Sequence, residues 1–174
     1  MDIEEIEKLV YEYGNEIYKF CCYLTSDSDL ADELYQETFL KAVELRHKLD
    51  RSGNTKSYLL GVAVNLWRNY RRKKANRIKI VPEADYEVNA NYIKSENGDV
   101  LDECVKKEMI DTIKMLVNSL SDKHKLVILL YYAENLQTEE IGRVLHIPQG
   151  TVMSRLDKAR KILRKEMEGR GYEV

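Results

Sequence analysis

Three sets of side chains in this sequence offer groups that a macromolecular partner could use. The first is the stretch from Thr138 to Leu156 and the residues just after it, where Gln149, Met153, Ser154, Asp157 and Lys158 follow a turn at His146, Ile147 and Pro148. Ser154, Asp157 and Lys158 are three and four residues apart, so on a helix they share one face. A hydroxyl, a carboxylate and an ammonium group there are suited to base edges in a major groove. Gly150 keeps the start of that helix free of bulk, so its unpaired N–H groups can approach a phosphate. Arg155, Lys158, Arg160, Lys161 and Arg164 add a basic stripe.

The second set spans 51–82, with nine basic and no acidic residues. Basic side chains track phosphates, while amides and aromatic rings receive unstacked bases. Asn65, Arg68, Asn69, Arg71 and Arg72 alternate there with Tyr58, Trp67 and Tyr70. The two tyrosines also fit a core stripe, and Trp67 fits either role. The third set, from Asp29 to Ala42, reads as an amphipathic helix with an acidic outer face, facing either a basic partner or water.

Catalytic constellations are not expected. His47, His124 and His146 lie far apart without ligand or triad spacing, and no glycine-rich phosphate loop occurs. Cys21, Cys22 and Cys104 are odd in number and lack CxxC spacing, which argues against a disulfide framework or a zinc site. They read as buried or half-buried free thiols. No cofactor, metal or small-molecule substrate is implied.

Helices must position these groups. Ile3, Ile6, Val10, Tyr13, Ile17, Phe20 or Cys21, and Leu24 recur at helical spacing, predicting a helix from Ile3 to Leu24. A second is predicted over 29–47, capped by Asp29, with Ala31, Leu34, Thr38, Ala42 and Leu45 inward. After a polar loop at 48–57, a third runs to about Lys74 on Tyr58, Leu59, Val62, Ala63, Leu66 and Tyr70. From 82 to about 100 the chain turns polar and acidic, which reads as a flexible linker. Beyond it, Met109, Ile110, Ile113, Leu116, Val117 and Leu120 mark one helix. Ser121 caps the next, with Val127, Ile128, Leu130 and Tyr131 inward. Thr138 caps a short helix over 139–145, and a last helix runs from Gln149 to Met167. The short helix, turn and longer helix form a helix-turn-helix, with Gly142 allowing close approach.

With no alternating strand pattern, the fold class is all-α: two small helical domains, 1–80 and 105–174, joined by an acidic linker at 81–104. The net charge of −2 hides segregation: 1–50 carries net −8, 51–82 net +9, 83–111 net −6 and 112–174 net +3. Such blocks suggest a basic surface for nucleic acid and acidic ones for another partner or for self-masking. No apolar run approaches the roughly 20 residues of a membrane helix, and the acidic N-terminus is unlike a secretory signal. An intracellular, cytoplasmic protein is expected.

The string from Asp29 to Ala42 resembles the core-polymerase-binding helix of extracytoplasmic-function sigma factors. Ser57 to Arg72 resembles their −10-element helix, and Leu120 to Leu163 their −35-reading domain. The three matches stand in family order. The resemblance implies a sigma region 2-like three- or four-helix domain and a region 4-like helix-turn-helix domain. It implies that Asp32, Glu33, Gln36, Glu37 and Phe39 lie on or support the surface docking the β′ clamp helices. It places Arg51, Ser52, Asn54, Lys56, Asn65, Arg68, Asn69, Arg71 and Arg72 at the −10 element. Gln149, Gly150, Thr151, Met153, Ser154, Arg155, Asp157 and Lys158 fall at the −35 element, with Arg155 on a phosphate. Core RNA polymerase (β′ clamp and β flap), promoter DNA and a membrane-bound anti-sigma factor are the implied partners.

Three positions depart from the family pattern: Ser121 for a usual proline, Asn69 for a common aspartate, and Met153 where a basic residue is frequent. The last removes a phosphate or base contact and bears on −35 preference. The rival readings are a stand-alone helix-turn-helix regulator and an RNA-binding regulator. The first leaves the Asp29–Ala42 helix and the basic block at 51–79 unexplained; the second predicts tight binding to structured RNA without polymerase.

Overall fold

The computed structural model describes residues 3–45, 54–80 and 102–173, and among these every regular element is helical. The chain divides into two compact units, residues 1–91 and 92–174. The expected linker at 82–100, Arg51 and Ser52 lie outside the described residues.

The first unit is three helices: α1 (Ile3–Thr25), α2 (Ser28–Glu44) and α3 (Thr55–Ile80), each packed on the other two. Ile17, Phe20, Cys21 and Leu24 of α1 meet Ala31, Leu34, Phe39 and Ala42 of α2 and Leu59, Leu60, Ala63 and Val64 of α3 in the core. Each fully buried Ile, Leu or Phe contributes roughly 1.5–3 kcal/mol, so this cluster holds the unit together. Thr38 sits fully buried because its hydroxyl donates to the Leu34 carbonyl at 2.7 Å. Without that bond a buried hydroxyl costs about 1–3 kcal/mol.

Several expectations are corrected here. Asp27, not Asp29, caps α2: its carboxylate accepts the Leu30 N–H at 3.0 Å, while Ser26 turns the chain at φ +55°. The helix α2 ends at Glu44 rather than 47. Helix α3 starts inside the expected loop, at Thr55. Asn54 caps it by accepting the Ser57 N–H at 3.1 Å. It also runs past Lys74 to Ile80; this solvent-facing end contains Ile78 at 57% exposure. Nothing in 75–80 breaks a helix, since neither Gly nor Pro occurs there. Trp67 is core, at 3% exposure, whereas Tyr70 is not, at 39%.

The second unit comprises α4 (Asp102–Ser119), α5 (Asp122–Ile128) running into a π-helical turn at Leu129–Ala133, α6 (Thr138–Leu145) and α7 (Gln149–Gly169). Leu126, Val127, Leu130, Ile141, Leu145, Val152, Leu156 and Ala159 form its core. Leu116 near the end of α4 and Leu120 just after it join this core, while Ile110 and Ile113 stay exposed. The π turn closes with the Glu134 N–H on the Leu129 carbonyl at 3.1 Å, and Asn135 leaves it at φ +55°.

Two expected caps differ. The Ser121 hydroxyl makes no bond to the α5 backbone and instead meets His124 Nδ1 at 3.1 Å. Gln137, not Thr138, is the N-cap of α6, and its N–H donates to the Glu140 carboxylate at 3.0 Å. That reciprocal carboxylate satisfies a donor that has no partner inside the helix.

Candidate nucleic-acid and partner interfaces

Helix α2 presents Asp32, Glu33, Gln36 and Glu37 to solvent while Ala31, Leu34 and Thr38 point inward. Phe39 is buried, its ring 5.1 Å from Tyr35, so it supports the face rather than forming it. Leu40, four residues after Gln36, stands on this acidic face at 65% exposure. Periodicity could have found it: it breaks the inward stripe and sits among charges. Asp32 is held from behind, because the Tyr18 phenol bonds to its carboxylate and is pushed up to about 12 by that bond.

On α3, Asn65, Arg68, Asn69 and Arg72 occupy positions i, i+3, i+4 and i+7, one face of the helix. Asn65, Asn69 and Arg72 are exposed and Arg68 is half-buried. Arg72 donates to the Asn69 amide oxygen at 3.4 Å, a long bond that leaves both groups presentable. Arg71 lies off this face, its guanidinium 5.8 Å from the centre of the Trp67 ring. Two expected contact residues serve the fold instead: Asn54 caps α3, and Lys56 reaches Glu16 of α1 at 2.7 Å. Ser57 Oγ and Tyr58 Oη are buried there without a hydrogen-bond partner, and burial raises the Tyr58 pKa.

The helix-turn-helix is fixed by its backbone. His146 turns the chain at φ +55°, and the Ile147 N–H donates to the Gly142 carbonyl at 2.9 Å. A Cβ at Gly142 would stand 2.8 Å from the Ile147 oxygen, so only glycine allows this approach. At Gly150 a Cβ would meet nothing within 4 Å, which leaves the start of α7 open. Met153, Ser154, Asp157 and Lys158 are exposed beyond it, Thr151 and Arg155 half-buried. Gln149 is exposed, but its amide N–H donates to the Thr138 hydroxyl at 2.8 Å across the turn.

Charges around α7 are already coupled. Asp157 pairs with Lys161 at 2.9 Å, which holds its carboxyl below the usual range. His124 of α5 is lowered by burial, then by Lys123, Lys158 and Arg155. Arg160, read in the sequence only as part of the basic stripe, packs its guanidinium over Tyr131 and Tyr132. Ring centres lie 5.2 and 5.6 Å away, and its Nε donates to the Tyr132 hydroxyl at 2.8 Å. It anchors α7 on the end of α5; the adjacent tyrosines were the available signal. Among the described residues no cluster of three His, Cys, Asp or Glu side chains could hold a metal, and no helix is long and apolar enough to cross a membrane.

An acidic amphipathic helix and a basic helix in one three-helix unit, with a helix-turn-helix in another, define a multi-site DNA-binding transcription factor. The Sigma-70 region 2 family matches residues 9–77 and the Sigma-70 region 4 family residues 116–165. The ECF RNA polymerase sigma factor SigW of Bacillus subtilis is 31% identical over 95% of this chain and 90% of its own length. SigM of the same organism is 29% identical over 98% of both. The sigma factor RpoE of Bartonella quintana, solved in complex with the anti-sigma factor NepR, shares the fold. Its TM-score is 0.80 at 21% identity, over 95% of this chain and 98% of that one. The chain therefore belongs to the extracytoplasmic-function sigma factors, the alternative sigma factors that bind core RNA polymerase and direct it to −10 and −35 promoter elements.

Proposed function

We propose that the two units divide the work of promoter recognition, with a core-docking and −10 domain at 1–80, a linker at 81–104 and a −35 domain at 105–174. The acidic face of α2, with Asp32, Glu33, Gln36, Glu37 and the exposed Leu40, docks the β′ clamp helices, and Phe39 supports it. On α3, Asn65 takes a base flipped out of the −10 element. Arg68, Asn69, Arg71 and Arg72 hold the strand beside it, Arg51 and Ser52 are assigned to the −10 element with them from the sequence, and Asn54 and Lys56 contribute by fixing the start of α3. The start of α7, Gln149 to Lys158, reads the −35 element, while the β flap holds this domain on the polymerase. The protein acts in the cytoplasm without catalysis of its own. An anti-sigma factor silences it by covering these surfaces, as the pairing of RpoE with NepR suggests for the fold.

One observation carries this reading: the acidic outer face of α2 and the basic outer face of α3 are built into the same three-helix unit. A regulator acting through its helix-turn-helix alone needs neither. Reversing charge with Glu33→Lys and Glu37→Lys, both exposed, is expected to weaken copurification with core polymerase while helicity is unchanged. Undiminished copurification, or tight sequence-specific duplex binding by the isolated chain, overturns it.

A further inference from the structure

The hydrogen bond between Gln149 and Thr138 joins the first residue of α7 to the first residue of α6, eleven positions apart. It is a side-chain bond that crosses the turn, and it falls where α7 opens to solvent beside Gly150. A surface glutamine without such a partner samples many rotamers, and ordering one costs up to about 2 kcal/mol. Here that ordering is already in place before any ligand arrives.

The bond also determines what the amide has left. One N–H of Nε2 is used on the Thr138 oxygen at 2.8 Å. That leaves the carbonyl Oε1 and a second N–H of the same amide on an exposed side chain. An acceptor and a donor in that arrangement match the N6 amino group and N7 of adenine in the major groove; no other base presents the complementary pair there. Glu139 and Glu140, the acidic neighbours of Thr138, are engaged: Glu139 pairs with Arg143 at 2.7 Å and Glu140 caps Gln137.

We propose that Gln149 reads one adenine of the upstream promoter element and that Thr138 is the positioning residue that holds its amide for that purpose. The inference rests on the assignment of α7 to the −35 element. It goes further by naming the base, the reading group and the residue behind it.

The test uses holoenzyme reconstituted from the full chain and core polymerase, transcribing a promoter library randomised base by base across the −35 element. Gln149→Ala is expected to cut the preference for adenine at one position by about tenfold, within the range of a bidentate base contact. Thr138→Val, which keeps shape and removes the hydroxyl, is expected to cut preference at that same position by about threefold to tenfold. Thr138→Ser restores it. Thermal unfolding of each variant, unchanged from the parent, separates this from damage to the turn.

The proposal is overturned if Thr138→Val weakens every promoter equally, since that is the signature of a phosphate contact or a structural role. It is equally overturned if the position that responds to Gln149→Ala prefers a base pair other than adenine–thymine. Lys158→Ala in the same library tells the two levels apart. If it alters preference at another position while Gln149→Ala alters none, the adenine reading fails and the −35 assignment stands. If neither variant changes any position, the assignment of α7 itself fails.

Discussion

Gly14 and Gly142 sit in corresponding situations in the two units. Each is buried in a helix, and at each a Cβ would come within 2.9 Å of another atom. What they meet differs. Gly14 faces the hydroxyl of Tyr35, the far end of a side chain. Gly142 faces the backbone carbonyl of Ile147, whose N–H is bonded back to Gly142 itself at 2.9 Å. The three-helix unit thus positions its functional faces through side-chain packing between long helices, which can yield by rotating a ring. The helix-turn-helix positions its reading residues through backbone, which cannot.

The sharpest way to break that contrast is to add one methyl group at each site. Alanine in place of glycine inside a helix gains about 1 kcal/mol of propensity. Overpacking against rigid atoms costs about 1–3 kcal/mol. For Gly142→Ala the clash wins, with an expected net loss of up to about 2 kcal/mol in the second unit. For Gly14→Ala the two terms nearly cancel, although Tyr35 is pinned between the rings of Tyr18 and Phe39 at 5.6 and 5.1 Å. Amide hydrogen exchange, read separately in α6–α7 and α1–α2, measures both. Equal losses in the two units erase the distinction.

How far these features are visible in sequence depends on the same difference. The period of apolar residues marks every helix, and Gly142 is legible as a close-approach glycine because it stands four residues before a proline-bounded turn. Cap identities were missed by one or two residues: Asp27 rather than Asp29, Gln137 rather than Thr138. Several polar residues compete for each cap, and the winner depends on backbone angles that composition does not carry. Trp67, which fits either role in sequence, is inward, and Tyr70, which fits the core stripe, is not; helical spacing places them three residues apart on neighbouring faces, and the packing of α1 and α2 decides which is inward. Couplings between elements, such as Lys56 with Glu16 and Arg160 with the two tyrosines, have no local signature at all.

Within the second unit, rigidity predicts that reading and holding separate cleanly. Lys158 is exposed on the outer face of α7, whereas Arg155 is half-buried near His124. Lys158→Ala is expected to change base preference at one −35 position by about 1–3 kcal/mol. Arg155→Ala should weaken all promoters alike and flatten the salt dependence by about one unit, as the loss of a phosphate contact does. Promoter randomisation with salt titration checks both; identical uniform losses put α7 in a different orientation.

The first unit gives the smaller effect. Asn65 stands exposed on a long helix whose core is on the other side, so Asn65→Ala leaves the fold intact. Flipping a base from the stack costs a few kcal/mol, and a fitted polar group recovers part of it. The expected result is an open complex formed about tenfold less readily, with initial duplex binding changed by less than about twofold. Permanganate reactivity of the −10 thymines reports the first and filter binding the second. Equal losses in both steps assign Asn65 to general binding.

The smallest expected effect concerns the turns themselves. Ser26 between α1 and α2 and His146 between α6 and α7 both adopt φ +55°, a region that costs a non-glycine residue about 1–2 kcal/mol. Replacing either with glycine relieves that strain, but a more flexible unfolded chain takes back about 0.4–1 kcal/mol. The balance is a gain of a few tenths of a kcal/mol if no side-chain contact is lost. His146 meets that condition, since it is exposed and its backbone N–H, which reaches the Arg143 and Gly142 carbonyls, is kept by glycine. Ser26 is half-buried, in a turn where the Thr25 hydroxyl donates to the Cys21 carbonyl at 2.9 Å and sits 2.9 Å from the Asp27 carbonyl. His146→Gly is therefore expected to leave the second unit as stable or slightly more so, with −35 preference unchanged. Ser26→Gly should give no gain, because the flexibility it adds loosens a turn that side chains hold. Parallel urea titrations resolve the sign. A clear loss from His146→Gly would mean that the histidine side chain, and not only its backbone, holds the turn, and the backbone account of the second unit would have to be abandoned.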